Sequence, residues 1–275
     1  MKTGEKLQEL LGLLDLEQIE ENIFRAQPPK GRQGRLYGGQ IMAQALMAGG
    51  RTVEPHLRAH SLHGYFLRPG DPRVPAVIRV ERARDGRSFA MRRILVTQRG
   101  EAIFNMDASF QVVESGLDHQ ADMPDLTPPP EEKIPSALFE APFVTWRHEF
   151  RRLQSETPQP PEQFVWFKPT GRAPSEHLVA ASLLVFESDN VLIGTARLPH
   201  RGRFKRERMQ VASLDHAMWF HAPVQFEDWH LYSMDSPFSG GARGFNRGSV
   251  FDRKGKLFFP LVPRTDISYS PSKMF

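Results

Sequence analysis

Hydrophobic and polar positions divide the chain into two similar series. The first 22 residues interleave charged and apolar side chains with the spacing of an amphipathic helix. Residues 36–48, opened by Gly38 and Gly39, are small and apolar nearly all round, which predicts a helix buried on every side. Residues 60–69, 74–84, 88–98 and 102–113 are rich in β-branched and aromatic side chains and are separated by the turn-forming strings Arg-Pro-Gly-Asp, Arg-Asp-Gly-Arg and Gln-Arg-Gly-Glu. That pattern predicts strands of an antiparallel meander. Residues 114–142, with Thr127-Pro128-Pro129-Pro130 and several acidic side chains, follow neither period and read as a linker between domains 1–113 and 143–275.

The series then repeats. Pro174-Ser175-Glu176-His177 opens a second helix with no clean polar face, and strands are expected from about Met209 onward. Phe66-x-x-Pro69 matches Phe220-x-x-Pro223, Phe89 matches Phe245, and Gly100-x-x-x-Phe104 matches Gly255-x-x-x-Phe259, at offsets of 154 to 156. A steady offset indicates an internal duplication. One buried helix plus one antiparallel sheet, twice, gives an α+β protein in which each sheet curls around its own helix. Pairing the two sheets edge to edge would remove two exposed edges.

Composition narrows the chemistry. With 275 residues, 40% of them hydrophobic and 25% charged, the chain can bury a large core. It contains no cysteine, so disulfides, thiolate metal sites and a cysteine nucleophile are excluded, and a cytoplasmic location is expected. No apolar run approaches the roughly 20 residues of a membrane span. The net charge is +4 and the sequence pI about 9.5, which leaves room for an anionic partner. The densest cationic run, residues 197–208, includes Arg201, Arg203 and Arg206. It reads as a solvated loop, or as a contact for the phosphates of a nucleotide-bearing ligand, since guanidinium forks suit phosphate oxygens. Nucleic acid ranks last, because no helix-turn-helix or RNP string accompanies the charge. There is no Walker loop, no Gly-x-Gly-x-x-Gly after a strand and no His-Glu-x-x-His, so nothing supports nucleotide hydrolysis, dehydrogenase chemistry or a zinc centre.

Several strings carry a more specific signal: Tyr37-Gly38-Gly39-Gln40, the run from His60 through Phe66-Leu67-Arg68-Pro69-Gly70-Asp71, Arg84-Asp85-Gly86-Arg87-Ser88-Phe89, Ser213-Leu214-Asp215-His216-Ala217-Met218-Trp219-Phe220-His221, and Ala242-Arg243-Gly244-Phe245. On these strings the chain resembles the type II acyl-CoA thioesterases, the TesB-like double-hotdog enzymes. The resemblance implies a double hotdog fold, acyl-CoA substrates in lipid metabolism, no metal, no cofactor, no covalent intermediate and a homo-oligomer. It also implies that an aspartate after the second helix, a hydroxyl before the Asp-His string and a glutamine near the C-terminus hold the attacking water. Carried over, these fall on Asp189, Ser213 and, as a departure, Pro263, which has neither an amide side chain nor a backbone N–H.

Each position has a plainer reading. Asp189 could be a solvated carboxylate in a turn, though the negative end of its own helix, with burial, would raise its pKa toward useful basicity. Ser213 could be a strand hydroxyl satisfied by backbone; without a Gly-x-Ser-x-Gly elbow it is expected to orient water, not to attack. Asp215 and His216 are neighbours on a strand and should face opposite sides, so they are read as structural, with His216 or His221 hydrogen-bonded in the core. Met218, Trp219 and Phe220 are read as core or as the lining of an acyl channel. The expected outcome is a thioesterase working through Asp189-activated water, weakened by Pro263, or an acyl-CoA binding protein that has lost most of that activity. A hotdog hydratase acting on enoyl-CoA is a third and weaker option.

Overall fold

A computed structural model describes residues 4–149, 155–203 and 209–269, with side chains through Phe258 except that of Met209. The first helix, α1 (Glu5–Leu14), buries Leu7, Leu10 and Leu14, one face of a helical repeat. It is shorter than the N-terminal pattern predicts. After Asp15 the period changes to two, and short strands β1 (Glu17–Glu20) and β2 (Ile23–Ala26) follow, the latter burying Phe24 and Ala26 in alternation.

Helix α2 (Gly38–Gly50) is buried along almost its whole length, as its apolar circumference requires, and α3 (His177–Ser188) is its counterpart in the second half. The two run antiparallel against each other. Gly39 meets the Phe186 carbonyl at one end of the pair, and Gly50 meets Leu178 at the other. The 24-residue stretch from His177 to His200 is long and apolar enough by length and composition to cross a membrane. Here it serves as core: the α-helix ends at Ser188 and a 3-10 segment from Leu192 to His200 buries Leu192, Thr195, Ala196 and Leu198.

Ten further strands complete the fold: β3 (Leu57–Phe66), β4 (Ala76–Asp85), β5 (Phe89–Gln98), β6 (Glu101–Val112), β7 (Phe143–Arg147), β8 (Glu162–Pro169), β9 (Met209–Trp219), β10 (His230–Gly240), β11 (Arg243–Asp252) and β12 (Leu257–Tyr269). Their order is β1-β2-β4-β5-β6-β3-β9-β12-β11-β10-β8-β7, and every neighbouring pair is antiparallel. Reading outward from the centre, each strand of one half finds its equivalent in the other. The two sheets expected from the sequence are therefore halves of one twelve-stranded sheet, joined where β3 pairs β9 from Ser61 opposite Trp219 to Tyr65 opposite Asp215. This is the α+β double hotdog architecture.

Two irregularities recur at equivalent places. The register of β3 against β6 slips between Ala59 and Ser61, and that of β9 against β12 slips between Ser213 and Asp215, so His60 and Leu214 are extra residues in their strands. Elsewhere a buried arginine staples the first half together. Arg92 is fully buried and donates to Thr52 Oγ1, to the carbonyls of Thr52, Arg84 and Met91, and to Asp85, so its charge is matched by acceptors on α2's trailing turn and on β4 and β5. The stretch between β6 and β7 has two 3-10 turns, Glu131–Lys133 and Ser136–Glu140, and lays Met123, Leu126, Ile134, Leu138 and Phe139 over a small cluster of Val144, Trp166, Trp229 and Leu231.

Candidate active site

Asp189 occupies the C-cap of α3, and the antiparallel packing of the helices carries it to the start of α2. Its Oδ2 accepts the Gly39 backbone N–H at 2.9 Å, while Ser213 Oγ donates to Oδ1 at 3.3 Å. The carboxylate thus faces the N-terminal, positive end of α2 as well as the end of its own helix, which corrects the expectation that the helix dipole would simply oppose its charge. Its side chain is 9% exposed, and burial outweighs both hydrogen bonds, pushing its pKa up to about 6.

The residues around it leave no room for alternatives. A Cβ on Gly38 would stand 2.7 Å from Asp189 Oδ2 and 2.9 Å from the tip of Phe66, and one on Gly39 would stand 2.3 Å from the Phe186 carbonyl oxygen. Tyr37 donates its hydroxyl to that carbonyl at 2.9 Å and packs edge-on against the Phe186 ring. Tyr232 donates to the Ser188 carbonyl at 2.9 Å. The last turn of α3 is therefore anchored from both halves of the molecule, with Phe66 of β3 forming an apolar wall beside the carboxylate.

The bulge at Leu214 determines which side chains of β9 join the site. Strict alternation places Ser213 on the face of Asp215, away from His216; the extra residue puts Ser213 and His216 on the same, inner face. His216 is fully buried, with Nδ1 4.0 Å from Asp189 Oδ1 and Nε2 3.1 Å from Ser188 Oγ. Asp215 faces the other way and pairs with His63 at 3.0 Å, so the two neighbours do point apart as expected. His216 is indeed hydrogen-bonded in the core, whereas His221 is exposed. Met218 is buried and Phe220 packs against the core, but Trp219 is 40% exposed on the outer face and is not part of the core.

Pro263 lies on β12 opposite His216, and the register on its far side places it opposite Asn246 of β11. The position carried over for the glutamine is thus in the same row as His216. A fully buried amide, Asn246, stands one strand farther along, its Oδ1 accepting the Ala196 N–H at 2.9 Å. Asn190, another candidate to supply an amide, instead donates to Glu187 Oε1 at 3.0 Å. Glu187 is itself buried, also accepts from Thr145 at 3.2 Å, and has its pKa raised by burial to about 7. In the cationic run, Arg201 donates to the Ser155 carbonyl at 2.9 Å, Arg203 is exposed, and Arg206 lies outside the described residues. This run is only in part a solvated loop, since it continues from the buried 3-10 segment.

Sequence reasoning placed Asp189 and Ser213 but missed the Gly39 amide, the Phe66 wall and the approach of His216 Nδ1. The adjacent glycines at 38 and 39 were the available signal for a close approach to a helix start.

Comparison with known proteins agrees with this architecture. Residues 140–266 match the family described as "Acyl-CoA thioesterase", and residues 26–111 match the "Acyl-CoA thioesterase N-terminal domain". Acyl-CoA thioesterase 2 of Haemophilus influenzae is 34% identical over 268 residues, covering 91% of this chain and 94% of that protein. Human acyl-coenzyme A thioesterase 8 is 35% identical over 271 residues, covering 89% and 84%. Among solved structures, the acyl-CoA thioesterase II TesB2 of Mycobacterium marinum superposes with a TM-score of 0.83 at 38% identity, covering 98% of this chain and 99% of that one. With relatives of this similarity aligned along nearly its whole length, the chain belongs to the type II acyl-CoA thioesterase family.

Proposed function

We propose that this protein hydrolyses acyl-CoA to a free acid and CoA, with Asp189 as the base that activates water. The single observation that carries the reading is the carboxylate of Asp189: nearly buried, pushed up to about 6, and held between a helix start and the Ser213 hydroxyl. A water bound there loses a proton to Asp189 as its oxygen attacks the thioester carbonyl carbon. The first turn of α2 presents N–H groups and a positive dipole end to the oxyanion. The C–S bond then breaks, and the departing thiolate takes the proton back from Asp189. A neutral pH leaves this carboxylate ionised and still basic enough for the transfer.

Asp189→Asn keeps the shape and loses the base, so kcat should fall ~10²–10⁴-fold with the fold intact. Free CoA is measured with a thiol reagent, and a variant retaining half the wild-type kcat would overturn the assignment. Pro263, in the same row as His216, supports a second reading in which the family site lacks one water-holding amide and binds acyl-CoA with weak turnover. On that reading the barrier is higher by about 2–4 kcal/mol than with an amide present, or ~10²–10³ in kcat, and Pro263→Gln should raise kcat at least several-fold. Tight binding of an acyl-CoA with no turnover would favour the binding protein over the enzyme.

Arg201, Arg203 and Arg206 are read as contacts for the CoA phosphates; replacing all three with alanine should raise KM for acyl-CoA while a short thioester without the nucleotide is unaffected. The protein is also read as a homo-oligomer, supported by Tyr65, Met91, Leu95 and Trp219, which are 36% to 49% exposed on the sheet. Light scattering after gel filtration tests this.

A further inference from the structure

His216 has one nitrogen committed and one not. Ser188 Oγ donates its only hydrogen to the Val185 carbonyl at 2.8 Å, the ordinary back-bond of a helical serine. Met218 Sδ, at 3.4 Å, is the longer and weaker alternative for that hydrogen. His216 Nε2 lies 3.1 Å from Ser188 Oγ, and both short contacts are hydrogen bonds together only when Oγ donates to the carbonyl and accepts from Nε2–H, which puts the proton of the neutral ring on Nε2. Nδ1 is then a bare acceptor. It is buried, has no hydrogen-bond partner among the described residues, and stands 4.0 Å from Asp189 Oδ1. That separation is too long for a direct hydrogen bond but fits one water about 2.8 Å from each atom, with its two hydrogens directed at an angle of about 90°.

We propose that His216 is a further catalytic residue of the Asp189 site, its unprotonated Nδ1 accepting one hydrogen of the nucleophilic water while Asp189 Oδ1 accepts the other. The inference rests on the reading of Asp189 as the base. Two acceptors on one side fix both hydrogens of the water and leave a lone pair turned away from them, toward a carbonyl carbon. His216 takes no proton: burial and the nearby His63 hold its pKa down to about 3, so the proton goes to Asp189. The bulge at Leu214 is what makes the arrangement possible, since without it Ser213 and His216 could not face the same oxygen. With Pro263 lacking an amide, the two acceptors remain to order the water, and the Ser213 hydroxyl holds Asp189 Oδ1 in place.

The test uses two amides that each copy half of an imidazole. In His216→Asn the side-chain oxygen falls near the position of Nδ1 and the contact to Ser188 is lost. In His216→Gln the amide reaches the position of Nε2 and keeps the contact to Ser188 while nothing accepts at Nδ1. We expect His216→Asn to lose about tenfold in kcat and His216→Gln about a hundredfold, with KM for acyl-CoA unchanged in both. A residue that merely anchors the end of α3 to β9 would give the opposite ranking, and that result, or equal losses, would overturn the proposal. A wild type that turns over no acyl-CoA would sink the hydrolase reading instead, and the tautomer remains measurable. In ¹⁵N-histidine NMR of the full chain, with His216 assigned through its backbone, Nδ1 should appear unprotonated and Nε2 protonated at pH 7. A proton on Nδ1 would overturn the proposal whether or not the variants fold.

Discussion

Two carboxyl groups two residues apart on the last turn of α3 respond to burial in the same direction and yet have separable consequences. Asp189 is raised to about 6 and Glu187 to about 7, both chiefly by desolvation. Tyr37 and Tyr232, the other titratable groups turned toward them, are raised well above their ordinary value and stay neutral; His216 stays neutral because its pKa is depressed. The acid limb of kcat/KM should therefore belong to Asp189, falling tenfold per pH unit below about 6. For stability the sign runs with the raised values. The neutral form of Glu187 is favoured in the folded state, so its contribution is complete below about 4.5 and is lost as pH rises through about 7. Glu187→Gln should then stabilise the protein at pH 8 by on the order of 2–3 kcal/mol, leave it near wild type at pH 4.5, and not move the acid limb. Chemical denaturation at the two pH values, beside a rate profile, checks all three. Of this chemistry the sequence revealed the family position of Asp189 and the hydroxyl of Ser213. It could not reveal Glu187, because a carboxylate near the end of a helix looks solvated until the fold closes over it.

At the scale of elements, the site exists because a helix start and a helix end meet without side chains between them. Gly39→Ala would put a methyl 2.3 Å from the Phe186 carbonyl, a backbone atom that cannot rotate away. We expect the variant to push α2 off α3, lose most activity and melt at lower temperature, with a cost of about 1–3 kcal/mol as for overpacking. Wild-type turnover in a folded Gly39→Ala protein would show that the helix contact is not needed to place Asp189. The two buried helices and the meander strands were legible because apolar circumference and period-two runs are local patterns. The bulges were not, since an extra residue in a strand is defined by its partner across the ladder. Ser213 and His216, three apart, read as opposite faces until Leu214 is recognised as the extra residue. Strands β1, β2 and β7 escaped notice because they are only four or five residues long, β8 because its burial does not alternate cleanly, and the extent of α1 was overread because charged and apolar side chains stay interleaved past Leu14.

The whole molecule shows its duplication in the strand order as clearly as in the residue offsets, and the helix pair extends that correspondence. Equivalent positions place Gly50 where the second half has Asp189, Leu178 where the first has Gly39, and Ala59 and Leu62 where the second has Ser213 and His216. At the far end of the helix pair, a Cβ on Gly50 would stand 2.2 Å from Leu178. A carboxylate there would meet a branched hydrocarbon in place of an amide, so the leucine plugs the space that the other end keeps for polar chemistry. In the arithmetic of binding this sets a stoichiometry. Titration with a non-hydrolysable acyl-CoA analogue should saturate at one ligand per chain, with a single affinity and no second phase, although the chain contains two copies of the folding unit. Gly50→Asp together with Leu178→Gly would restore room and charge at the silent end but neither hydroxyl nor imidazole, and the isotherm should still count one.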